Sequence, residues 1–208
     1  MRTQALLVAS ALLLGGCAIG NTYDYRAASV GLPATTPETL AIGVADQRDY
    51  VLSGKKTIDF IGLQRGGYGN PFDVTTASGK SLAEDFTALL AKSFGASGTR
   101  VETVVLAPGI APDAAIERFQ DTSAGRFLLI EMREWKTDAF AQVTVHWDLT
   151  ARVFDANGNL LASETVQGVE GTEESGVFQD EKAKIARREA KRRFEELLKT
   201  SEIASALR

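Results

Sequence analysis

Residues 142–154 read QVTVHWDLTARVF, and apolar and polar side chains alternate along this segment almost without interruption. Such alternation is typical of a β-strand with one buried face and one wet face. Asn157-Gly158 follows, and residues 160–168 form a second strand-like run after it. Asn-Gly between two such runs is the strongest short-range signal for a β-hairpin. Any fold of this chain therefore has to accommodate a long hairpin.

The other periodic segments predict strands and helices in alternation around this hairpin. Residues 81–95 predict a helix, because Ser81 and Glu84 form a capping box and an apolar stripe follows them. Further strands are predicted at 39–46, 99–106 and 126–135, and further helices begin near 112 and 180. This order predicts an α/β fold: a single mixed β-sheet of about five strands, helices packed on one face, and one domain over residues 39–208.

The charge balance and the scarcity of two residue types exclude several classes of function. The 208 residues include 27 acidic and 23 basic side chains, which gives a formal net charge of −4. A mildly acidic chain lacks the basic footprint that nucleic-acid binding requires. One histidine and one cysteine nearly exclude a zinc site, which needs three or four ligands, and no cofactor fingerprint is complete. We therefore expect no nucleic-acid partner, no metal and no cofactor.

The first sixteen residues have the three parts of a secretion signal. Arg2 supplies a positive charge, residues 5–14 form an apolar run, and two glycines precede the lone cysteine, Cys17. As a helix the apolar run would span about 15 Å, roughly half of the bilayer core. We therefore predict a signal peptide at residues 1–16 rather than a membrane-spanning helix.

The sequence Leu14-Gly15-Gly16-Cys17 resembles the lipobox of bacterial lipoprotein precursors. The resemblance implies cleavage between Gly16 and Cys17, a diacylglycerol group on the thiol, and acylation of the new N-terminus. By resemblance to enteric sorting rules, Ala18 after the cysteine implies transfer to the outer membrane, with the domain facing the periplasm; inner-membrane anchoring stays open. An ordinary secretory signal with an incidental cysteine, or a cytosolic protein with an apolar start, is the alternative.

Residues 17–38 are predicted to form the lipidated N-terminus and a flexible tether. Residues 18–38 are small and polar, contain two prolines and show no period. A tether of this length would hold the domain some tens of ångströms from the lipid surface. The alternative is that Tyr23, Tyr25 and Val30 form a short strand or pack on the domain.

A glycine-rich segment at residues 65–73, RGGYGNPFD, is the candidate for partner binding. Its glycines permit positive φ, and Tyr68 and Phe72 offer aromatic surface beside Arg65. Exposed aromatic and arginine side chains are typical interface anchors. The alternative is that Phe72 folds under the loop and caps the core. A phosphate loop is not predicted, because the third glycine of the fingerprint is absent and Pro71 interrupts the segment.

Few residues could carry catalysis. Asp46 and Asp49 follow the first predicted strand, and His146 lies on the wet face of the hairpin with Asp148 two residues further on. No nucleophile elbow accompanies the histidine, and the sequence does not define the distance between the two aspartates. We therefore expect a protein that is not an enzyme, with a hydrolase of envelope material as the alternative.

The last predicted helix has an apolar seam and a basic face. Residues 182–193 contain seven lysines and arginines. Such a face can lie against anionic headgroups or meet an acidic partner. The alternative is a solvated face, partly paired with acidic neighbours on the same helix. The inward seam is predicted to consist of Ala186, Ala190, Phe194 and Leu197.

The lipobox and a strand-led domain that begins LAIGVADQR at residue 40 resemble the small YajG-type lipoproteins and the auxiliary lipoproteins of envelope transport systems. The likeness lies in the order of elements: a strand ending in Asp46-Gln47-Arg48, a capped helix, a strand pair and a closing helix. It implies a lipid-anchored, periplasm-facing domain and carries over no functional residue besides Cys17. The expected function is a non-catalytic module that binds or assembles with another envelope protein. An auxiliary subunit of a lipid or solute transporter is the alternative.

Overall fold

The computed structural model describes residues 21–32, 39–172 and 179–208. The signal peptide and the lipobox predicted for residues 1–17 lie outside these ranges. No helix within the described ranges combines the length and the apolar character needed to cross a membrane.

The described residues form eight strands, five α-helices and one short 3-10 turn, Tyr25–Ala27. In chain order the elements are β1 (Asn21–Tyr23), β2 (Leu40–Asp46), α1 (Asp49–Leu52), β3 (Phe60–Arg65), β4 (Pro71–Thr76), α2 (Leu82–Ala96), β5 (Val101–Thr103), α3 (Pro112–Gln120), β6 (Arg126–Ala139), β7 (Val143–Asp155), β8 (Leu160–Gly171), α4 (Gln179–Leu198) and α5 (Ser201–Ala206).

All eight strands join one mixed sheet that is organised around β6. One edge of β6 pairs antiparallel with β7 along its length, and β7 pairs antiparallel with β8. The other edge of β6 is shared by two parallel strands in succession: β2 pairs with its first half, and β3 pairs with its last three residues. β5 flanks β2, while β4 and then β1 flank β3. The sheet therefore divides beside β6, and we call this division the fork.

The hairpin and the capped helix are confirmed. β7 and β8 are joined at residues 156–159, where Gly158 adopts a φ of +83° that suits glycine. The Ser81 side chain accepts from the Glu84 backbone N–H, and the Glu84 carboxylate reaches back to the Ser81 N–H. These local signals determine the local structure because they depend on a few neighbouring residues.

Two expectations about the sheet are wrong. It has eight strands in the described residues rather than about five, because three further segments form strands: β1 in the predicted tether, β3 directly before the predicted glycine-rich loop, and β4, which begins inside that loop. Helices also cover both faces rather than one. The main core lies under α2, α4 and α5, whereas Ala115 and Phe119 of α3 pack in a second apolar cluster on the opposite face. The apolar run of β2 fits both clusters, since its alternate residues belong to different ones.

Residues 21–32 belong to the folded body. Tyr23, Tyr25 and Val30 are buried, and β1 pairs with β4. Burial of two large aromatic side chains offsets the entropy lost on ordering the segment. The alternative in which these residues form a short strand or pack on the domain is therefore confirmed: Tyr23 lies in β1, and all three side chains pack on the domain. The tether predicted for residues 17–38 does not extend over residues 21–32.

Candidate functional site

Three exposed aromatic side chains of the described residues lie at one end of the sheet. Tyr68, in the loop between β3 and β4, is 100% exposed, Phe72 is 48% exposed, and Phe140, in the turn between β6 and β7, is 51% exposed. Gln64 of β3 pairs with Phe72 on one side and with Ala139 on the other, so Phe72 and Phe140 lie at nearly the same level of the sheet. We call Tyr68, Phe72 and Phe140 the aromatic rim.

Arg65 connects the two segments that carry the aromatic rim. Its guanidinium donates to both carboxylate oxygens of Asp138, with Nε–Oδ1 at 2.8 Å and Nη2–Oδ2 at 2.6 Å. Its Nη1 also lies 3.5 Å from the carbonyl oxygen of Gly69, next to Tyr68. The ion pair holds the pKa of Asp138 below its usual range. Arg65 therefore positions the loop and brings no unpaired charge to the surface.

The three residues proposed for partner binding thus have two different roles. Tyr68 and Phe72 are exposed, and Phe72 does not cap the core. Arg65 is paired with Asp138. Their binding of a partner remains a prediction. Phe140 was missed by the sequence analysis, although an apolar residue between two strands, at a predicted break, was a usable signal.

His146 lies beside the aromatic rim, on the outer face of the hairpin. It lines an open depression of about 590 Å³ together with the Arg65–Asp138 pair. Partial burial and the neighbouring Lys136 lower the pKa of its imidazole. Asp148, its suggested partner, lies 4.0 Å from Arg133 Nη1 instead.

The structure does not bring Asp46 and Asp49 together with His146. Asp46 is buried and accepts from Arg48 Nε at 2.8 Å and from Arg48 Nη2 at 2.6 Å. Asp49 is exposed in the first turn of α1. Every second residue of β2 faces the main core, and Asp46 is the next residue in this series. His146 lies on the other face of the sheet. Among the described residues, no group of His, Cys, Asp and Glu could hold a metal ion.

A second concavity lies between α2 and the edge strand β5. It has a volume of about 220 Å³ and is lined by Asp85, residues 103–106, Arg26 and Lys80. Asp85 is fully buried, and its Oδ1 accepts from Ser78 Oγ at 2.7 Å. Its Oδ2 has no hydrogen-bond partner among the described residues. Burial raises the pKa of this carboxyl. We call this concavity the edge groove.

In the wild-type protein, the Asp85 carboxyl is expected to make the free energy of unfolding fall as pH rises. Replacing Asp85 by asparagine should remove this contribution. The native carboxyl keeps its proton above its usual pKa of 3.8, so the unfolded state binds fewer protons there, and the free energy of unfolding falls as pH rises through that window. Asp85→Asn should therefore gain stability relative to wild type as pH rises above 3.8. Urea unfolding at several pH values above this point measures the difference.

Glu84→Gln is the matched control, because Glu84 lies next to Asp85 on α2 and has the opposite shift. Although burial opposes it, hydrogen bonds from Ser81 lower the pKa of Glu84. Glu84→Gln should therefore lose stability relative to wild type as pH rises. Parallel pH profiles for Asp85→Asn and wild type would contradict the assignment.

Most of the basic residues of α4 are exposed or partly exposed, and several are paired; Lys182 and Arg193 are buried. Arg192 Nη2 lies 2.6 Å from Glu170 and 3.0 Å from Glu189. Arg193 is buried, pairs with the same Glu170 and stacks 3.5 Å from the centroid of the Trp147 ring. The two arginines lower the pKa of Glu170 to about 2. The partly paired alternative therefore describes this helix in part, since Glu189 lies on the helix but Glu170 lies on β8. The inward seam is confirmed: Ala186, Ala190, Phe194 and Leu197 are fully buried.

Comparison with known proteins gives a likeness of fold. No family model matches the chain, and no curated protein matches it. Protein XCC0632 from Xanthomonas campestris, of the family model DUF330, is similar with a TM-score of 0.51 and 14% identity, over 86% of this chain and 94% of that chain.

Two other solved structures are more distant. The lipoprotein GNA1162 from Neisseria meningitidis has a TM-score of 0.32 and 13% identity, over 79% of this chain and 100% of that chain. The LpoB C-terminal domain from Salmonella enterica has a TM-score of 0.32 and 12% identity, over 72% and 100%. These two scores are too low to carry an argument. The chain shares its overall fold with the Xanthomonas protein.

Proposed function

We propose that this protein is a lipid-anchored, periplasm-facing envelope lipoprotein that acts as a non-catalytic binding or assembly module. The observation that carries the proposal is the sequence Leu14-Gly15-Gly16-Cys17, which ends four residues before the first residue of β1. Each buried methylene of an attached acyl chain contributes about 0.8 kcal/mol, and two or more chains anchor a protein stably. Ala18 supports the outer membrane as the destination.

The contacts of the candidate catalytic residues support a non-catalytic role. The Asp46 carboxylate is held by two hydrogen bonds from Arg48. The same guanidinium donates to the carbonyl oxygens of Phe60 and Trp135. Because both oxygens of this carboxylate are held by one buried guanidinium, they are not free to contact a substrate. The Asp46–Arg48 pair therefore stabilises the fold at the fork.

The open edge of β5 supports binding of a protein segment. β5 is an edge strand of the sheet, and an open edge offers backbone donors and acceptors to an added strand. The edge groove begins at Thr103, the last residue of β5, and its volume of about 220 Å³ lies below the roughly 300–1,000 Å³ of pockets that enclose small molecules. An auxiliary transport subunit that encloses a lipid in this groove is therefore supported less well than an assembly module.

Intact mass analysis of the membrane-extracted protein tests the anchor. We expect a mature chain that begins at Cys17 and carries a diacylglyceryl group on sulfur and an acyl chain on its N-terminus. Cys17→Ala removes the thiol that accepts the lipid, so it should lack this added mass. Ala18→Asp is the matched control, because it leaves the thiol in place and should retain the lipid.

An unmodified wild-type chain would contradict the anchor. Crosslinking of the lipidated protein in cells, followed by its purification, tests the binding role. We expect another envelope protein to be recovered with it. Recovery of this chain alone would contradict an assembly module that acts on a different protein.

A further inference from the structure

We propose that the aromatic rim rests in the headgroup region of the membrane that holds the Cys17 lipid. This inference depends on the lipid anchor proposed above. It adds the surface of the domain that faces the bilayer, and it assigns Tyr68, Phe72 and Phe140 to lipid contact rather than to a protein partner.

The chain joins the sheet from the end that carries the aromatic rim. β1 runs parallel to β4, and Asn21 pairs with Val74. β4 begins at Pro71, directly after the loop that carries Tyr68. The residues before Asn21 therefore approach the sheet from the side of the loop between β3 and β4, if the line of β1 is extended toward the N-terminus.

The covalent reach of the chain keeps Cys17 close to this end. Four residues from Cys17 to Asn21 span at most about 14 Å. The three steps along β4 from Val74 back to Pro71 cover about 10 Å. The loop tip with Tyr68 extends beyond Pro71. Because the reach of about 14 Å from Asn21 exceeds the distance of about 10 Å back to Pro71, the membrane that holds the Cys17 lipid can lie close to the aromatic rim.

Two surfaces of the domain are compatible with this reach: the sheet end with the aromatic rim, and the open edge of β1. The edge of β1 and the residue after it present polar side chains: Thr22 is exposed, and Asn21 and Asp24 are partly exposed. The sheet end exposes three aromatic rings. Aromatic side chains are favoured at the membrane–water interface, where the ring contacts acyl chains and a tyrosine hydroxyl remains hydrated. The sheet end is therefore the membrane-facing surface.

The charges near the aromatic rim predict how it binds. Arg65 and Asp138 neutralise each other, and the lowered pKa of His146 favours a neutral ring at neutral pH. The contact therefore depends on apolar insertion rather than on attraction to anionic lipid, which distinguishes it from a polybasic membrane site.

Tryptophan scanning on the lipidated mature protein tests the inference. Tyr68→Trp and Phe140→Trp are reconstituted into phosphatidylethanolamine–phosphatidylglycerol vesicles with bromine on the upper acyl chains. The natural Trp135 and Trp147 are buried and give a constant background. We expect the bromine to quench about half of the added fluorescence, because interfacial side chains lie within roughly 5–10 Å of the headgroup boundary.

Leu161→Trp is the matched control. Leu161 is 45% exposed but lies near the turn between β7 and β8, at the opposite end of the hairpin, about 35 Å away along the strand. Its fluorescence should not change with brominated lipid. Quenching at position 68 should persist in vesicles without phosphatidylglycerol and in about 1 M salt. Loss under either condition would contradict apolar insertion.

The outcomes separate this inference from the proposed function. The lipid mass of each variant is measured before reconstitution, and its absence would overturn the anchor itself. With the lipid present, equal responses at positions 68 and 161 would overturn the membrane contact and leave the anchor standing. A blue shift at position 68 that requires another protein and shows no bromine quenching would assign the aromatic rim to a protein partner and overturn the inference.

Discussion

Replacing Arg48 by methionine is expected to lower the free energy of unfolding by about 3–5 kcal/mol, because it leaves a buried carboxylate without its partner. Arg48 is fully buried, and its guanidinium holds both oxygens of Asp46. Methionine has a similar length, so the loss reflects the charge and the hydrogen bonds more than an empty volume. Urea unfolding followed by tryptophan fluorescence measures it.

The position of Arg48 at the fork explains why this loss is large. β2 leaves β6 after Met132, and β3 joins β6 from Thr137 onward. Between these points, Arg48 Nη1 donates to the carbonyl oxygens of Phe60 at 2.7 Å and Trp135 at 3.3 Å. Buried carbonyl groups without donors each destabilise a fold by about 1–3 kcal/mol. The Trp135 carbonyl also accepts from the Tyr50 hydroxyl at 2.9 Å, so the loss of Arg48 affects the Phe60 carbonyl more than the Trp135 carbonyl.

Arg133→Met is the matched control for Arg48→Met. Arg133 also follows an acidic residue by two positions, and its Nη2 lies 3.2 Å from Glu131. Its side chain is 43% exposed, and Glu131 keeps a second partner in Arg152. We therefore expect a loss of at most about 1 kcal/mol. Equal losses in the two variants would show that the fork does not depend on its arginine.

The double variant Asp46→Asn/Arg48→Met separates the charge from the hydrogen bonds. Neutralising residue 46 removes the unpaired buried charge, so the double variant should recover part of the stability that Arg48→Met loses. A double variant as unstable as the sum of its single variants would indicate no coupling between the two side chains.

The elements that the sequence predicts well are those whose signals are local. The hairpin from 143 to 171 and helix α2 follow from a turn dipeptide, a capping box and apolar periodicity over a few neighbouring residues. β1, β3 and β4 could not be predicted in this way. β1 is held by pairing with a strand some fifty residues away in the chain. Its pattern of alternation covers three residues, which is too few to distinguish a strand from a linker.

The aromatic rim shows the same division between local and non-local information. The glycines and aromatics at residues 65–73 indicated an exposed loop, and Tyr68 is exposed there. The pairing of Arg65 with Asp138 joins residues 73 positions apart, so no local pattern could reveal it. Phe140 joined the rim for the same reason, since β3 meets the end of β6 only in the folded sheet. The role of Asp46 was likewise hidden, because the buried carbonyls that Arg48 satisfies come from distant strands.

Replacing Tyr25 by alanine is expected to lower the free energy of unfolding by about 3–5 kcal/mol, the usual cost of removing a buried aromatic ring. The Tyr25 ring packs edge-on against Phe86 and Trp135, with centroid distances of 5.0 Å and 5.9 Å. Its hydroxyl oxygen accepts from Trp135 Nε1 at 3.0 Å. Urea unfolding of the full-length protein measures the loss.

Tyr25→Phe is the conservative control, because it keeps the ring and removes the acceptor. It should cost about 1–3 kcal/mol, since the buried Trp135 N–H loses its partner. Arg26 is exposed next to Tyr25, so trypsin can report on the segment. Cleavage after Arg26 should be faster in Tyr25→Ala than in Tyr25→Phe. Equal cleavage rates would show that Tyr25 does not hold residues 21–32 on the domain.

Tyr25 also controls the distance between the lipid and the folded body. With residues 21–32 attached, the connection from Cys17 to the sheet is at most about 14 Å, whereas a detached segment would extend it to Thr39, roughly 70 Å away when fully extended. In the Tyr68→Trp protein, Tyr25→Ala should therefore reduce quenching by brominated lipid under conditions in which circular dichroism shows a folded domain. Tyr25→Phe should preserve the quenching. Unchanged quenching in Tyr25→Ala, despite rapid cleavage after Arg26, would mean that the aromatic rim binds the membrane through its own affinity and not through a short connection.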